Sequence, residues 1–211
     1  MSGEKDLLVD AIHVHEKSMM KIFELKTTAQ AEGDLVSFGG DRSGRLMNYF
    51  VRDIGDGKFL RFTRLQAKAQ ELLTSDVMKS ADFIDADISI PIFSIKAAEM
   101  LMAEIPEQCE FYPLFIDVRG EEVEFRLCKI KVYTNLINAE RSSWVTLSED
   151  TRLIDQPVFF SSFKHPFLIA RDQAHPGYWA VSTSFVELCL RHGLAVRFGE
   201  LAQDDSVLPH Q

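Results

Sequence analysis

The sequence of 211 residues contains few cysteines, and their spacing follows no known motif. Cys109, Cys128 and Cys189 are odd in number, and none belongs to a CxxC pair. This pattern argues against a disulfide scaffold and against a structural zinc site. We expect buried, reduced thiols in a cytoplasmic protein.

Long apolar runs are also missing. No stretch approaches the ~18 apolar residues of a membrane span. Residues 1–18 form a charged leader whose short apolar part is interrupted by Asp10, His13 and His15, unlike a secretory signal. His13 and His15 could share one face of a strand, but no third ligand is near, so no metal site is predicted. We expect no membrane association.

The chain lacks an excess of basic residues. Its 23 Lys and Arg against 32 Asp and Glu give a formal net charge of -9. Phosphate binding requires a basic face, so nucleic acid is not an expected partner. An acidic protein would instead be attracted to a basic protein partner.

Three carboxylates lie in the segment ADFIDADISIP, at Asp82, Asp85 and Asp87. The segment lacks the D-x-D-x-D-G spacing and the closing Glu of a calcium loop. We interpret it as a solvated acidic connection. A second interpretation makes Asp85 and Asp87 part of a negative rim that faces a basic partner.

Catalytic motifs are absent as well. The sequence contains no GxSxG, HExxH or dinucleotide fingerprint, and the segment FGGDRSGR lacks the Gly-Lys-Ser/Thr of a phosphate loop. Cys189 and His192 stand three residues apart on an apolar helix face, which favours a small hydrophobic residue and a helix-end cation over a catalytic pair. We predict neither catalysis nor a cofactor. A catalytic site assembled from distant residues remains an alternative.

The sequence does contain a clear core unit in residues 88–144. Ser94 is a good N-cap for a helix that Pro106 ends. The segments FYPLFIDV and VEFRLCKIKVY then alternate as two strands joined by a tight turn at Arg119, Gly120 and Glu121. With 46% apolar residues and 16 Phe, the chain can form a full core.

Weaker patterns predict the remaining elements. Residues 19–27 form a strand, 34–62 form three short strands with a hairpin turn at Gly55-Asp56-Gly57, and 63–80 form a helix capped by Thr63. Residues 134–156 are rich in loops, and FLIA (167–170) is a buried strand. The last helix begins at Ser184 and ends at Gly193, and a strand at 194–198 closes the fold.

Together these elements predict an α+β fold, with a mostly antiparallel β-sheet and about three packed helices in a single compact domain. The domain spans residues 19–198, with a β-rich N-terminal lobe at 19–62 and a core at 88–198. An acidic tail follows at 199–211.

The order of motifs in residues 81–198 resembles a family of bacterial immunity proteins encoded beside polymorphic toxins. The motifs are the helix headed by Ser94, the two strands, a segment with Asn135, Asn138, Glu140 and Ser142, and the later segments VSTSF and HGLAVRF. This family has no established catalytic residues. The resemblance implies a protein that binds and neutralises a cognate toxin by occluding it, without catalysis.

The loop ARDQAHPGYWAV supplies the candidate contact residues. They are Arg171, Asp172, His175, Tyr178 and Trp179. Loops often carry function, and Arg, Tyr and Trp dominate binding hot spots. The alternative is a turn whose aromatic side chains pack back into the core while Arg171 and Asp172 are solvated.

Three classes of protein remain open, and each predicts a different surface. A binding protein predicts a flat exposed patch. An enzyme or small-ligand-binding protein with a dispersed site predicts a deep apolar pocket with convergent polar groups. A structural oligomer subunit predicts a self-complementary two-fold patch.

Overall fold

The computed structural model describes residues 19–29, 36–39, 41–148 and 151–204, and within them the fold is mixed α/β with mostly antiparallel strands. Four α-helices occur in this part of the chain, against about three predicted. They are α1 (Asp41–Leu46), α2 (Ser75–Lys79), α3 (Ile95–Glu104) and α4 (Thr183–Arg191). A π-helix follows α1 at Met47–Val51, and a 3-10 helix lies at Lys58–Arg61. None of the described helices is long and apolar enough to cross a membrane.

Two larger sheets organise the strands. The six-stranded sheet has the order β2-β3-β6-β7-β5-β4, and the five-stranded sheet has the order β14-β1-β13-β12-β8. Two pairs, β9 with β10 and β11 with β15, form separate two-stranded sheets. The strands are β1 (Ile22–Lys26), β2 (Val36–Ser37), β3 (Gln66–Ala69), β4 (Phe83–Ile84), β5 (Ile92–Phe93), β6 (Cys109–Val118), β7 (Glu121–Ile130), β8 (Tyr133–Thr134), β9 (Ser143–Ser148), β10 (Thr151–Gln156), β11 (Phe159–Phe160), β12 (Ile169–Asp172), β13 (Trp179–Ser182), β14 (Arg197–Glu200) and β15 (Gln203–Asp204).

The predicted core unit is confirmed. Strands β6 and β7 pair over their full length, with Leu114 opposite Phe125 and Ile116 opposite Val123. Arg119 and Gly120 between them have φ values of 55° and 88°, as a tight hairpin turn of the primed type requires. Helix α3 precedes this hairpin in the chain. It begins after Ser94, whose side chain accepts a hydrogen bond from the Ala97 N–H at 3.1 Å.

The predicted helix at residues 63–80 is wrong over most of its length. Residues 66–69 instead form β3, which pairs in parallel with β6, and only residues 75–79 are helical, capped by Thr74 rather than Thr63. In β3, Ala67 and Ala69 are buried whereas Gln66 and Lys68 are exposed. Pairing with a distant strand outweighs the helix propensity of this segment.

Two of the three strands predicted in residues 34–62 are also wrong. The segment RLMNYFVRDI is helical through α1 and the π-helix, and KFLRF holds the 3-10 helix. Tyr49, Phe50 and Val51 are all buried, which a half-exposed strand would not allow. Gly55 and Gly57 do have positive φ, so a turn is present, but it joins helical segments instead of strands.

The C-terminal predictions are partly confirmed. Helix α4 begins after Ser182, two residues earlier than predicted, and ends before Gly193, which has a φ of 59°. The closing strand lies at β14, slightly later than residues 194–198, and pairs with β1. The strand predicted at 167–170 is present as β12, which begins two residues later, at Ile169.

Strand β1 comes from the N-terminal part of the chain but lies between β13 and β14, whereas β2 joins the other large sheet. The division into a lobe at 19–62 and a core at 88–198 stays a prediction. The leader at 1–18 and the tail beyond residue 204 lie outside the described residues. The buried side chains form three clusters: one between the six-stranded sheet and residues 46–51, one around α3 and α4, and one beneath β9 and β10.

Candidate functional site

The segment predicted to be rich in loops contains a β-hairpin, formed by β9 and β10, with apolar side chains on its solvent side. The two strands pair with each other and with no other described strand. Val145, Leu147 and Leu153 are 44%, 63% and 51% exposed, and Val145 lies directly opposite Leu153. We call these three residues the outer face of the hairpin.

The opposite side of the hairpin packs against the protein. Ile154 is buried and lies opposite the half-buried Trp144, and both belong to the third apolar cluster. Because apolar residues point to both sides, the alternation that identifies a half-buried strand is lost. Two short apolar segments, WVTL and RLI, separated by polar residues are the signal that could have indicated this hairpin.

Specific contacts hold the hairpin in place. Trp144 Nε1 donates a hydrogen bond to the Ala139 carbonyl at 3.0 Å, and the Tyr178 hydroxyl donates one to the Ile154 carbonyl at 2.9 Å. The His175 ring packs edge-on against Trp144 with 5.7 Å between ring centroids. Both His175 and Tyr178 were predicted as partner contacts, and the structure brings them together as supports of this hairpin.

Asp172 organises the loop from which these supports project. Its Oδ2 accepts hydrogen bonds from the backbone N–H groups of Leu136 and Ile137 at 2.7 and 2.9 Å, and its Oδ1 accepts one from the His175 N–H at 2.6 Å. Asp172 is only 1% exposed. The carboxylate therefore connects the loop to residues 136–137 and is not available at the surface.

Arg171 is also buried, with no exposed surface. Its guanidinium donates hydrogen bonds to the Pro176 carbonyl and, at 2.9 Å, to the Ser89 carbonyl, while its Nε has no partner among the described residues. Burial lowers the pKa of Arg171 to about 10, because the charged form is disfavoured away from water. This burial disagrees with the expectation that Arg171 and Asp172 contact a partner. It also disagrees with the alternative that both side chains are solvated.

Trp179 lies apart from the hairpin. It is half-buried and packs against Phe83, with 6.0 Å between the ring centroids, in the cluster around α3 and α4. Tyr178 packs against the cluster beneath β9 and β10 and Trp179 against the cluster around α3 and α4, so the two residues support different cores.

The three carboxylates of the acidic segment bind backbone groups of distant residues. Asp87 is exposed and accepts from the Phe38 N–H at 3.2 Å, whereas Asp85 is half-buried and accepts from the Thr27 N–H at 3.3 Å. Asp82 is buried and accepts from the Ala195 N–H at 2.8 Å. The interpretation as a solvated connection is therefore wrong for Asp82, and Asp85 and Asp87 have structural contacts of their own.

A cluster of titratable side chains lies elsewhere, at the end of the π-helix. Lys129 Nζ is 2.6 Å from Asp53 Oδ1 and 3.8 Å from the centroid of the Tyr49 ring. The hydroxyl of Tyr49 is 2.6 Å from that of Tyr112. Burial and the hydrogen bond to Tyr49 raise the pKa of Tyr112, so its phenol stays protonated at neutral pH. The ammonium charge is already paired, and the cluster presents no activated nucleophile.

The described surface includes two open grooves. One, of about 350 Å³, lies on the six-stranded sheet and is lined by Lys68, Phe115 and Asp117 among others. The other, of about 390 Å³, lies beside the π-helix and is lined by Asn48 and Arg52 among others. The hairpin and the Lys129 cluster line neither groove.

In the described part of the chain, neither the cysteines nor a group of metal-binding side chains forms a reaction centre. All three cysteines are free and buried, and burial raises the pKa of Cys189 to about 12, which keeps its thiol protonated. No three His, Cys, Asp or Glu side chains of the described residues are grouped to hold a metal ion. His13 and His15 lie outside those residues.

The chain matches no protein-family model, and it matches no curated protein significantly.

Proposed function

We propose that this chain is a binding protein that neutralises a cognate toxin by covering the toxin's active surface, and that it performs no chemistry of its own. The toxin as the partner rests on the resemblance of residues 81–198 to immunity proteins. The observation that supports binding is the exposed outer face of the hairpin. The proposal places the protein in the cytoplasm, as a single α+β domain.

The outer face has the chemistry of a contact surface. Val145, Leu147 and Leu153 are adjacent on one side of a two-stranded ribbon, so their exposed apolar area is contiguous. Complete burial of one such side chain is worth about 1.5–3 kcal/mol, and these three are already partly covered. Contiguous exposed apolar area of this kind is typical of protein contact sites.

The rival function, catalysis or small-ligand binding at a dispersed site, expects an enclosed apolar pocket with convergent polar groups. The two grooves of about 350 and 390 Å³ are open, and polar side chains line much of both. Lys129, the lysine of the titratable cluster, is paired with Asp53. These features favour binding over catalysis.

Co-expression with the protein encoded by the adjacent gene tests the proposal. The expected result is that the neighbour is lethal alone, that co-expression restores growth, and that the two proteins purify together as a stable complex. An unrelated acidic protein of similar size serves as the control. A harmless neighbour that forms no complex would overturn the proposal for this pair.

A further inference from the structure

We infer that the outer face of the hairpin is the docking surface, and that its occupant is a basic protein which places Lys or Arg side chains around an apolar contact. This inference rests on the proposed function and specifies which surface acts and what chemistry recognises it. It differs from the sequence-based prediction, which assigned the contact to the loop at residues 171–179 and to Asp85 and Asp87.

The hairpin is organised before a partner arrives. Its inner side is held by the hydrogen bonds from Trp144 Nε1 to Ala139 and from the Tyr178 hydroxyl to Ile154, and by the packing of His175 on Trp144. Side chains on a fixed strand lose less conformational entropy on binding than those on a mobile loop. The exposed aliphatic residues are therefore presented in one arrangement.

The surroundings of the outer face are polar and exposed. Thr146 and Thr151 are exposed in the same two strands, and Glu140 and Asp155 lie at the base of the hairpin. An apolar centre with a polar margin is the usual anatomy of a protein interface.

Charge selects the kind of partner. Of the two arginines near the hairpin, Arg141 is paired with Asp204 at 3.0 Å, whereas Arg152 is exposed, lies 5.5 Å from the centroid of the Trp144 ring and keeps its positive charge. Glu140 and Asp155 form no ion pair with any described residue. Among the described residues around the hairpin, these two carboxylates outnumber the single unpaired guanidinium of Arg152, so the excess charge is negative, in a chain with a formal net charge of -9.

A second copy of this chain is the less favourable occupant. Two copies in contact through their outer faces would bring two pairs of unpaired carboxylates close together, and like charges at an interface are destabilising. A basic partner would neutralise the same carboxylates and would be attracted from a distance.

The test measures binding of the full chain to the protein of the adjacent gene. We expect Leu147→Asp to weaken the Kd about 10-fold or more, as expected for a charge placed in the centre of an interface. Leu72→Asp is the matched control, because Leu72 is 86% exposed in a turn elsewhere. The control should leave the Kd unchanged. Circular dichroism of each variant verifies folding, and Leu147→Ser replaces Leu147→Asp if the latter fails to fold.

Charge reversal provides a second measurement on the same complex. Glu140→Lys combined with Asp155→Lys should slow association several-fold at low salt, with little change in dissociation. Glu99→Lys, at an exposed position of α3, is the control and should have a smaller effect. Faster association of the double variant would contradict a basic partner and overturn this part of the inference.

The outcomes separate the inference from the proposed function. A complex that forms and protects, but is unaffected by Leu147→Asp, would overturn the docking surface and leave neutralisation standing. Failure of the parent chain to bind or protect would overturn both. A dimer that Leu147→Asp converts to a monomer would show that a second copy covers this face, which would also overturn the inference.

Discussion

Two β-hairpins of the described part of the molecule differ in how they use apolar side chains. The first, β6 with β7, has ten-residue strands inside the six-stranded sheet, and Leu114 and Leu127 on it are completely buried. The second, β9 with β10, has six-residue strands outside both large sheets, and its Leu147 and Leu153 are more than half exposed.

The difference shows that the position of a strand in the fold, and not its composition, decides whether its leucine side chains are buried or exposed. In the first hairpin, neighbouring strands and helices cover both sides at one end, so the apolar residues provide stability. In the second, only the inner side is covered, so the outer residues add little to stability and stay in contact with solvent. The following predictions test this contrast.

The largest effect is expected for Leu127→Ala in the first hairpin. Leu127 is 0% exposed, and removing its side chain leaves a cavity in the core. We expect the free energy of unfolding to fall by about 2–5 kcal/mol in urea denaturation. A loss below about 1 kcal/mol would mean that this hairpin is not the stable part of the protein.

A smaller loss is expected for Asp172→Asn in the support of the second hairpin. Both carboxylate oxygens accept buried backbone hydrogen bonds, and an amide can replace only one of them as an acceptor. We expect a loss of about 1–3 kcal/mol, measured by the same denaturation. Asp87→Asn, at an exposed carboxylate, is the control; equal losses at both positions would contradict the structural role of Asp172.

Tyr178→Phe removes one hydrogen bond, from the hydroxyl to the Ile154 carbonyl. We expect a loss of about 1 kcal/mol, with faster amide hydrogen exchange in residues 143–156 and unchanged exchange in residues 109–130. Uniformly faster exchange in both hairpins would show that Tyr178 supports the whole fold rather than the second hairpin.

The smallest effect on stability is expected for Leu153→Ala, because this side chain is 51% exposed on the outer face. We expect the free energy of unfolding to change by less than about 0.5 kcal/mol in thermal or urea denaturation. A loss as large as that of Leu127→Ala would remove the contrast between the hairpins.

The candidate site was only indirectly predictable from the sequence. The loop at 171–179 was selected for its Arg, Tyr and Trp residues, and the structure uses His175 and Tyr178 to support a hairpin. The prediction concerned contacts with a partner, whereas the contacts of Asp172 in the structure are with residues 136 and 137, more than thirty positions away. No local sequence pattern distinguishes a side chain that contacts another part of its own chain from one that contacts a second protein.

The sequence by itself determined the elements whose signals are local. The cap at Ser94, the alternation of β6 and β7, and the turn at Arg119-Gly120 depend on residues within a few positions of one another, and all are present in the structure. Only the tertiary structure decided that residues 66–69 form a strand, that Arg171 is buried, and that Leu147 is exposed. These outcomes depend on which distant segments lie alongside, since burial and strand pairing are properties of neighbours in space.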